Sequence, residues 1–449
     1  MARRLAEIRP SIRHLFLIVP VAALAWAGTT PFSDNSFLWH VRAGTLQLDQ
    51  GRVLTEDPFT MEFAGEPWRT QSWLADLMYG SLERMFDGIG WTPYYLFFLI
   101  ASTITLVLLV TRHRTGNLGV TAGAAVLLCW QAVPFAIARP AIFSYLMLAA
   151  VAASLYDRRA LWAVPGLIWL WAALHGSFVV GIGLVILEGI RLRSRRHFEV
   201  AAAGAVLATF TAHGLGVWQI LISFAGNRDA LSLIQEWQPP DYSHPFMVPF
   251  ALMVAGVVFT ATRGKLETRS LIVVVPFLLF GMLAVRNLYP AMIVVLPYAA
   301  AGFVPEKAAA PRRDPALLVF GLGAVIVLFG LVGLLRTVTF AEDAFPPPAA
   351  LDVLEPGPIF HGIGPGGYLI YAQWPERPIL VDDRAELFGR EGFERYIDVS
   401  DGYGWEEMFA ELDISQALME PDWILVRELS EAGWVEVYRD DNFVIASAP

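Results

Sequence analysis

Eleven apolar runs constrain this chain more than any other feature: roughly 14–30, 91–111, 118–137, 141–156, 160–175, 177–190, 199–216, 246–262, 270–285, 288–304 and 315–336. A helix of about 20 apolar residues spans the hydrocarbon core of a bilayer, where only helices and closed barrels satisfy their own backbone. Composition agrees: the 449 residues are 56% hydrophobic and 16% charged, whereas soluble domains carry about a quarter charged residues. The expected fold is a polytopic α-helical membrane protein with about eleven transmembrane helices. Several central runs are short and parted only by Arg139-Pro140 or His175-Gly176, which predicts tight turns or helices partly buried in protein.

Basic residues set the orientation. One set of connections carries Arg3, Arg4, Arg9 and Arg13; Arg112 and Arg114; Arg158 and Arg159; Arg191, Arg193, Arg195 and Arg196; Arg263, Lys265 and Arg269; Lys307, Arg312 and Arg313. That is more than half of the 32 basic residues in the chain. The alternate connections hold Arg42, Arg52, Arg69 and Arg84, then Arg139, Arg228 and Arg286. By the positive-inside rule the amino terminus is cytoplasmic, and a long first loop, 31–90, and the carboxy-terminal tail are extracytoplasmic. The protein is placed as multi-pass in the inner or plasma membrane. The first run also fits a cleaved signal peptide ending at Ala25-Trp26-Ala27; both readings leave the loop outside. The single Cys129 forbids an internal disulfide, and a net charge of −10 is no nucleic-acid footprint.

The loop is rich in functional groups. Between residues 31 and 77 stand Asp34 and Asp57, with Trp39, His40, Arg42, Trp68, Gln71 and Trp73. Phe37, Leu38, Val41, Leu46 and Leu48 suggest a surface-lying amphipathic segment, and Trp73, Leu74, Leu77 and Met78 a second. EDPFT and AGEP read as turns between them. Two readings stay open from the loop alone: a structured active-site segment, or an amphipathic connector with solvated acids. Beyond it, polar residues gather at the outward ends of the runs: Arg139, then Trp169, Trp171 and His175, then His213, a connection holding Glu236 and Trp237, and Arg286. Singly, each has an ordinary explanation as a snorkelling cation, a helix cap or an aromatic belt. Together they predict a cavity open to the outer face and roofed by the loop.

Past Arg336 the composition changes. Pro346 to Pro348, Pro356 and Pro358 form a stiff linker, and 339–449 reads as a small extracytoplasmic α/β domain. GYLIYAQW, RPILVDD, DWILVREL, WVEVYRD and FVIASA read as strands, FERYIDV and WEEMFAEL as helical pieces. HGIGPGGY is read as turns in preference to a phosphate cradle. Asp382, Asp383 and Arg384 either face the membrane site or form a salt-bridge cluster at a strand edge. There is no P-loop, serine elbow, CxxC or HExxH, so nucleotide motors, familiar hydrolases and thiol redox sites lack support. No internal repeat is evident, which weakens a secondary-transporter reading.

The cytoplasmic amino terminus, the acid soon after the first span, the amphipathic loop and the soluble tail, with DNSFLWHVRAG, EDPFT, PWRTQSWL, ARPAIFS, LHGSFVVG, IQEW and VRN, resemble the GT-C superfamily of polyprenyl-phosphate-dependent glycosyltransferases. The resemblance implies transfer of a sugar from a polyprenyl-phosphate donor to an extracytoplasmic glycan, lipid or protein acceptor, with inversion. It implies Asp34 as general base and Asp57 as a second catalytic acid, with His40, Arg42, Arg139, His175, Glu236 and Arg286 on the donor phosphate. It also allows a divalent ion, magnesium or manganese, at Asp34 and Asp57. One departure stands out: where many members pair two acids, Asn35 follows Asp34. The competing expectation is a non-catalytic transporter or assembly platform for lipid-linked glycans, which needs a polar cavity but no proton acceptor.

Overall fold

Each apolar run carries one α-helix in the computed structural model, which describes residues 11–27, 31–157, 159–226, 235–305, 315–336 and 338–449. The helices are Ile12–Ala27, Thr92–Thr115, Leu118–Ala132, Ala141–Ser154, Val164–Leu174, Phe178–Leu192, Arg195–Ala208, Val248–Thr262, Leu271–Leu283, Leu288–Ala301 and Ala316–Leu334. Four segments, Thr92–Thr115, Leu118–Phe135, Pro245–Thr262 and Ala316–Leu334, are long and apolar enough to cross a membrane by length and composition. Arg3, Arg4, Arg9, Arg158, Arg228, Lys307, Arg312 and Arg313, counted above for orientation, lie outside the described residues.

These helices belong to a first compact unit, Met1–Thr30, Gly90–Gly214 and Ile234–Thr337. Its centre is Leu288–Ala301, buried from Leu288 to Ala300 on almost every face. An all-apolar helix with no polar stripe belongs inside a bundle. At the edge, Ile12–Ala27 packs on Ala316–Leu334, where Gly330 sits against Ala22. Along that last helix Leu317, Phe320 and Leu328 are 90%, 70% and 61% exposed. A continuous apolar surface of this kind is stable against lipid, not water.

The second unit is Pro31–Ile89, Leu215–Leu233 and Val338–Pro449. The long loop, assigned on sequence to the membrane part, thus packs with the tail. Trp39, Ala43, Leu54, Phe59 and Trp68 from the loop share one core with Ala350, Ile359, Leu369, Ile370, Ile379, Leu418, Phe443 and Ile445. Backbone bridges bind the same segments, Phe32 with Phe340 and Thr60 with Ile379. The helix Asn35–Gln50 is therefore not surface-lying: Phe37, Leu38 and Val41 have no exposed surface. It crosses the helix Trp73–Phe86 at Gly44 and Gly80, where a Cβ on either residue would overlap the other backbone.

The tail holds a four-stranded sheet of β1 (Ile359–His361), β2 (Gln416–Met419), β3 (Val435–Arg439) and β4 (Val444–Ser447) in the order β1-β2-β4-β3. β1 and β2 are parallel, and the other pairs antiparallel. WVEVYRD and FVIASA form strands as expected, and FERYIDV and WEEMFAEL are helical. Two expectations are corrected. GYLIYAQW lies in the helix Gly366–Gln373, and DWILVREL in the helix Ile424–Glu431. In the latter only Leu425 and Leu429 are buried, a spacing of four that fits one helical face. RPILVDD forms no strand and is interrupted by bends, pairing through the Ile379 bridge. The strands β1 and β2 were missed because three or four apolar residues carry no readable period.

Candidate active-site clusters

In the second unit Asp34 is the N-cap of Asn35–Gln50; its Oδ1 accepts the Phe37 N–H at 3.4 Å, and the residue is 9% exposed. Asn35 turns the other way. Its Oδ1 accepts the Tyr368 N–H at 3.1 Å and its Nδ2 donates to the Ile363 carbonyl at 3.2 Å. A carboxylate has no donor for that carbonyl, which accounts for an amide at this position. Gly367 of HGIGPGGY serves this contact, and Gly366 a neighbouring one. A Cβ on Gly367 would overlap the Asn35 carbonyl, and one on Gly366 the Val381 carbonyl.

Asp57 is fully enclosed. Its Oδ1 takes Arg384 Nη1 at 2.5 Å, and its Oδ2 accepts the Thr60 N–H at 3.0 Å and the Thr60 hydroxyl at 2.6 Å. Arg384 also holds Asp382, through Nε at 2.8 Å and Nη2 at 2.7 Å, and lies over the Trp68 ring at 4.7 Å. Burial pushes the Asp382 carboxyl up to about 6, outweighing the Arg384 guanidinium beside it. Asp382 and Asp57 in turn hold the Arg384 pKa above its usual range, against the effect of burial. Asp383 points elsewhere: it accepts the Trp39 indole N–H at 2.9 Å and the Ser36 hydroxyl. Of the two readings for this stretch, Asp382 and Arg384 make an internal ion-pair cluster.

His40 and Arg42 are also engaged. His40 Nδ1 is 2.6 Å from Asp76 Oδ1, its ring stacks on Trp39, and Asp76 Oδ2 accepts the Thr70 hydroxyl at 2.5 Å. Arg42 donates to the Trp374 carbonyl and lies over the Trp374 ring at 5.5 Å. Both Asp57 oxygens are taken by a cation and by donors, and among the described residues no three His, Cys, Asp or Glu gather as a metal site.

In the first unit three expected residues meet. Glu236 Oε1 lies 3.3 Å from Arg286 Nη1 and 3.7 Å from Arg139 Nη1, with all three side chains about a third exposed or less. Arg286 lies over the Trp237 ring at 4.2 Å, and the Val285 N–H donates to the Gln238 carbonyl at 3.0 Å, fastening the connection that carries Glu236. His175 sits in its own network. Its Nδ1 accepts the Ser177 N–H at 3.2 Å and lies 2.9 Å from the Ser144 and Ser177 hydroxyls, while Trp171 Nε1 donates to Ser144 at 3.0 Å. An Nδ1 that accepts leaves the ring proton on Nε2. Ser144, which touches His175, stands on the helix Ala141–Ser154, which follows Arg139-Pro140 directly.

Several partners escaped the sequence reading. Asp76 is one residue in an amphipathic stretch, and only its burial marks it. Ser144 lies in ARPAIFS, quoted above for the resemblance but given no role.

No family model matches the chain, and no curated protein matches it. Solved structures do. The apo oligosaccharyltransferase of Archaeoglobus fulgidus is similar at a TM-score of 0.57 and 12% identity, over 91% of this chain and 69% of that one. ArnT from Cupriavidus metallidurans, solved bound to undecaprenyl phosphate, is similar at 0.56 and 14% identity, over 96% of this chain and 97% of that one.

Proposed function

We propose, for a chain with the fold of the GT-C glycosyltransferases, that it moves a sugar from a polyprenyl-phosphate donor to an extracytoplasmic acceptor. The observation that carries this is the pair Arg139 and Arg286 converging on one Glu236 oxygen. Two guanidiniums meet one carboxylate at a partly open position. That is the chemistry for a phosphate whose negative charge grows as it departs. Glu236 occupies the place of an anion and keeps the two cations together without a ligand. His175, with its proton on Nε2, would donate a hydrogen bond to the same leaving group.

The proposed step forms a bond from an acceptor hydroxyl oxygen to the anomeric carbon. The carbon–phosphate oxygen bond breaks on the opposite face, its electron pair stays with the polyprenyl phosphate, and the hydroxyl proton passes to the Asp34 carboxylate. Attack opposite the leaving group inverts the centre. Asp57 takes no part in this scheme beyond holding Arg384, and His40 and Arg42 act as supports of the loop instead of phosphate ligands. No step is routed through a metal.

The test is transfer itself. Purified protein is offered labelled polyprenyl-phosphate sugars with membrane acceptors, and release of free polyprenyl phosphate is measured. Arg139→Ala and Arg286→Ala should each raise KM for the donor about tenfold or more, as expected for a lost charged hydrogen bond. If no donor is cleaved while labelled lipid crosses vesicle bilayers, the protein is a transporter.

A further inference from the structure

A second concave site lies in the tail, within the second unit, and the scheme above does not use it. It is an open groove of about 500 Å³ lined by Trp423, Trp434, Arg427, Glu431, Glu436 and Arg439, with Val444 and Ala446 as its floor. We propose that this groove binds an uncharged glycan.

The floor follows from strand alternation: Ile445 points into the core, so Val444 and Ala446 face the other way. The helix Ile424–Glu431 buries Leu425 and Leu429 and turns Arg427 and Glu431 to the groove. On β3 a regular strand would send Glu436 and Arg439, three positions apart, to opposite faces. A register shift between Glu436 and Tyr438 brings them to one face. There Arg439 grips Glu436 by two nitrogens, Nη2 at 2.7 Å and Nε at 2.9 and 3.0 Å. Bulges recur beside functional sites because they re-aim a side chain.

The result is a bidentate carboxylate–guanidinium pair beside two tryptophans, with Val444 and Ala446 nearly covered beneath them at 1% and 6% exposure. A pyranose offers the complement: C–H faces for indole rings, and neighbouring hydroxyls that donate to a carboxylate and accept from a guanidinium. Charge selects against an anion. Arg439 is paired with Glu436, and Arg427 with Glu428 at 2.8 Å and Glu431 at 3.9 Å. The volume lies in the range of small-ligand sites, about 300–1,000 Å³. Binding does not depend on the transferase reading; only its use to hold a glycan acceptor rests on that reading.

The experiment uses the full chain in lipid nanodiscs and measures binding, not transfer. Uncharged hexasaccharides of glucose, mannose, galactose and N-acetylglucosamine are titrated by calorimetry, with inorganic phosphate and an extended hexapeptide as controls. Hydrogen exchange then locates the contact. We expect at least one hexasaccharide to bind and to slow exchange within 421–446. Glu436→Gln and Arg439→Gln, at exposed positions that spare the core, should each weaken it about tenfold. Trp434→Ala should remove it if exchange elsewhere is unchanged. The proposal is overturned if no hexasaccharide binds, if neither glutamine variant weakens binding, or if only phosphate or the peptide protects 421–446.

Discussion

At position 34 the helix Asn35–Gln50 needs a cap more than a charge, because asparagine caps a helix about as well as aspartate. Asp34→Asn therefore separates the two roles. It should keep the protein folded and donor-binding while lowering turnover by about 10² to 10⁴-fold, the usual worth of a general base. Near-normal transfer by that variant would remove Asp34 as the base. Asp57→Asn should behave in the opposite way. It leaves the buried Arg384 with one carboxylate instead of two, and breaking a buried pair typically costs about 3–5 kcal/mol. Loss of folded protein in detergent extracts should precede any change in the kinetics of what survives. In the sequence both were acids in one loop. The cap at Asp34 is local yet was not read from the sequence, and the partner of Asp57 stands 327 residues away, where no local pattern reports the pairing.

Elements add constraints that single residues do not show. The crossing of Asn35–Gln50 and Trp73–Phe86 is tight enough that Gly44→Ala must push the helices apart. Overpacking of this kind costs about 1–3 kcal/mol or more. It should also disturb His40 and Asp76, visible as a lowered Tm and a shifted His40 ring signal. The end of β1 is pH-sensitive. His361 is fully buried, its Nδ1 lies 2.8 Å from the Gly362 carbonyl, and its Nε2 accepts the Leu380 N–H at 2.9 Å. That arrangement suits only the neutral ring, and burial lowers its pKa from 6.5 to about 4. The unfolded chain takes up the proton first, so stability is full above pH 6.5 and falls as pH drops towards 4. The loss is on the order of 3 kcal/mol over that window. Urea titrations of the wild type and His361→Gln at pH 7 and pH 4.5 would show it: a wild-type midpoint that does not move relative to the variant refutes the assignment. None of this was legible beforehand. The eleven long runs announced helices because they are long, while in the tail, runs of four to eight apolar residues looked alike whether they became β4 or the helix Gly366–Gln373.

For the whole molecule, the shared core of the second unit decides two outcomes. A fragment of 339–449 lacks Trp39, Ala43, Leu54, Phe59 and Trp68 and should show no cooperative unfolding alone, whereas 31–89 joined to 338–449 should. Calorimetry of the two fragments settles it, and a cooperative transition in the short one contradicts the shared core. The second argument is parity. Three separated segments, Pro31–Ile89, Leu215–Leu233 and Val338–Pro449, form one unit, which the proposed topology puts on one side of the membrane. Between them run, among the described residues, six α-helices and then four, both even, as crossing by each would require. Reporters placed after Gly51 and after Pro449 should be active on the same face, opposite one at the amino terminus; a split result would break the scheme. The helices could be read from the sequence, but the joining of loop and tail could not.

That joining has a consequence in time. The loop is made early in synthesis, and the segments that cover its tryptophans and supply Arg384 are made last. At roughly 5–20 residues per second, the loop waits on the order of tens of seconds with Trp39, Phe59 and Trp68 uncovered. A ribosome that stops early therefore leaves Trp39, Phe59 and Trp68 without the partners that cover them and Asp57 without Arg384.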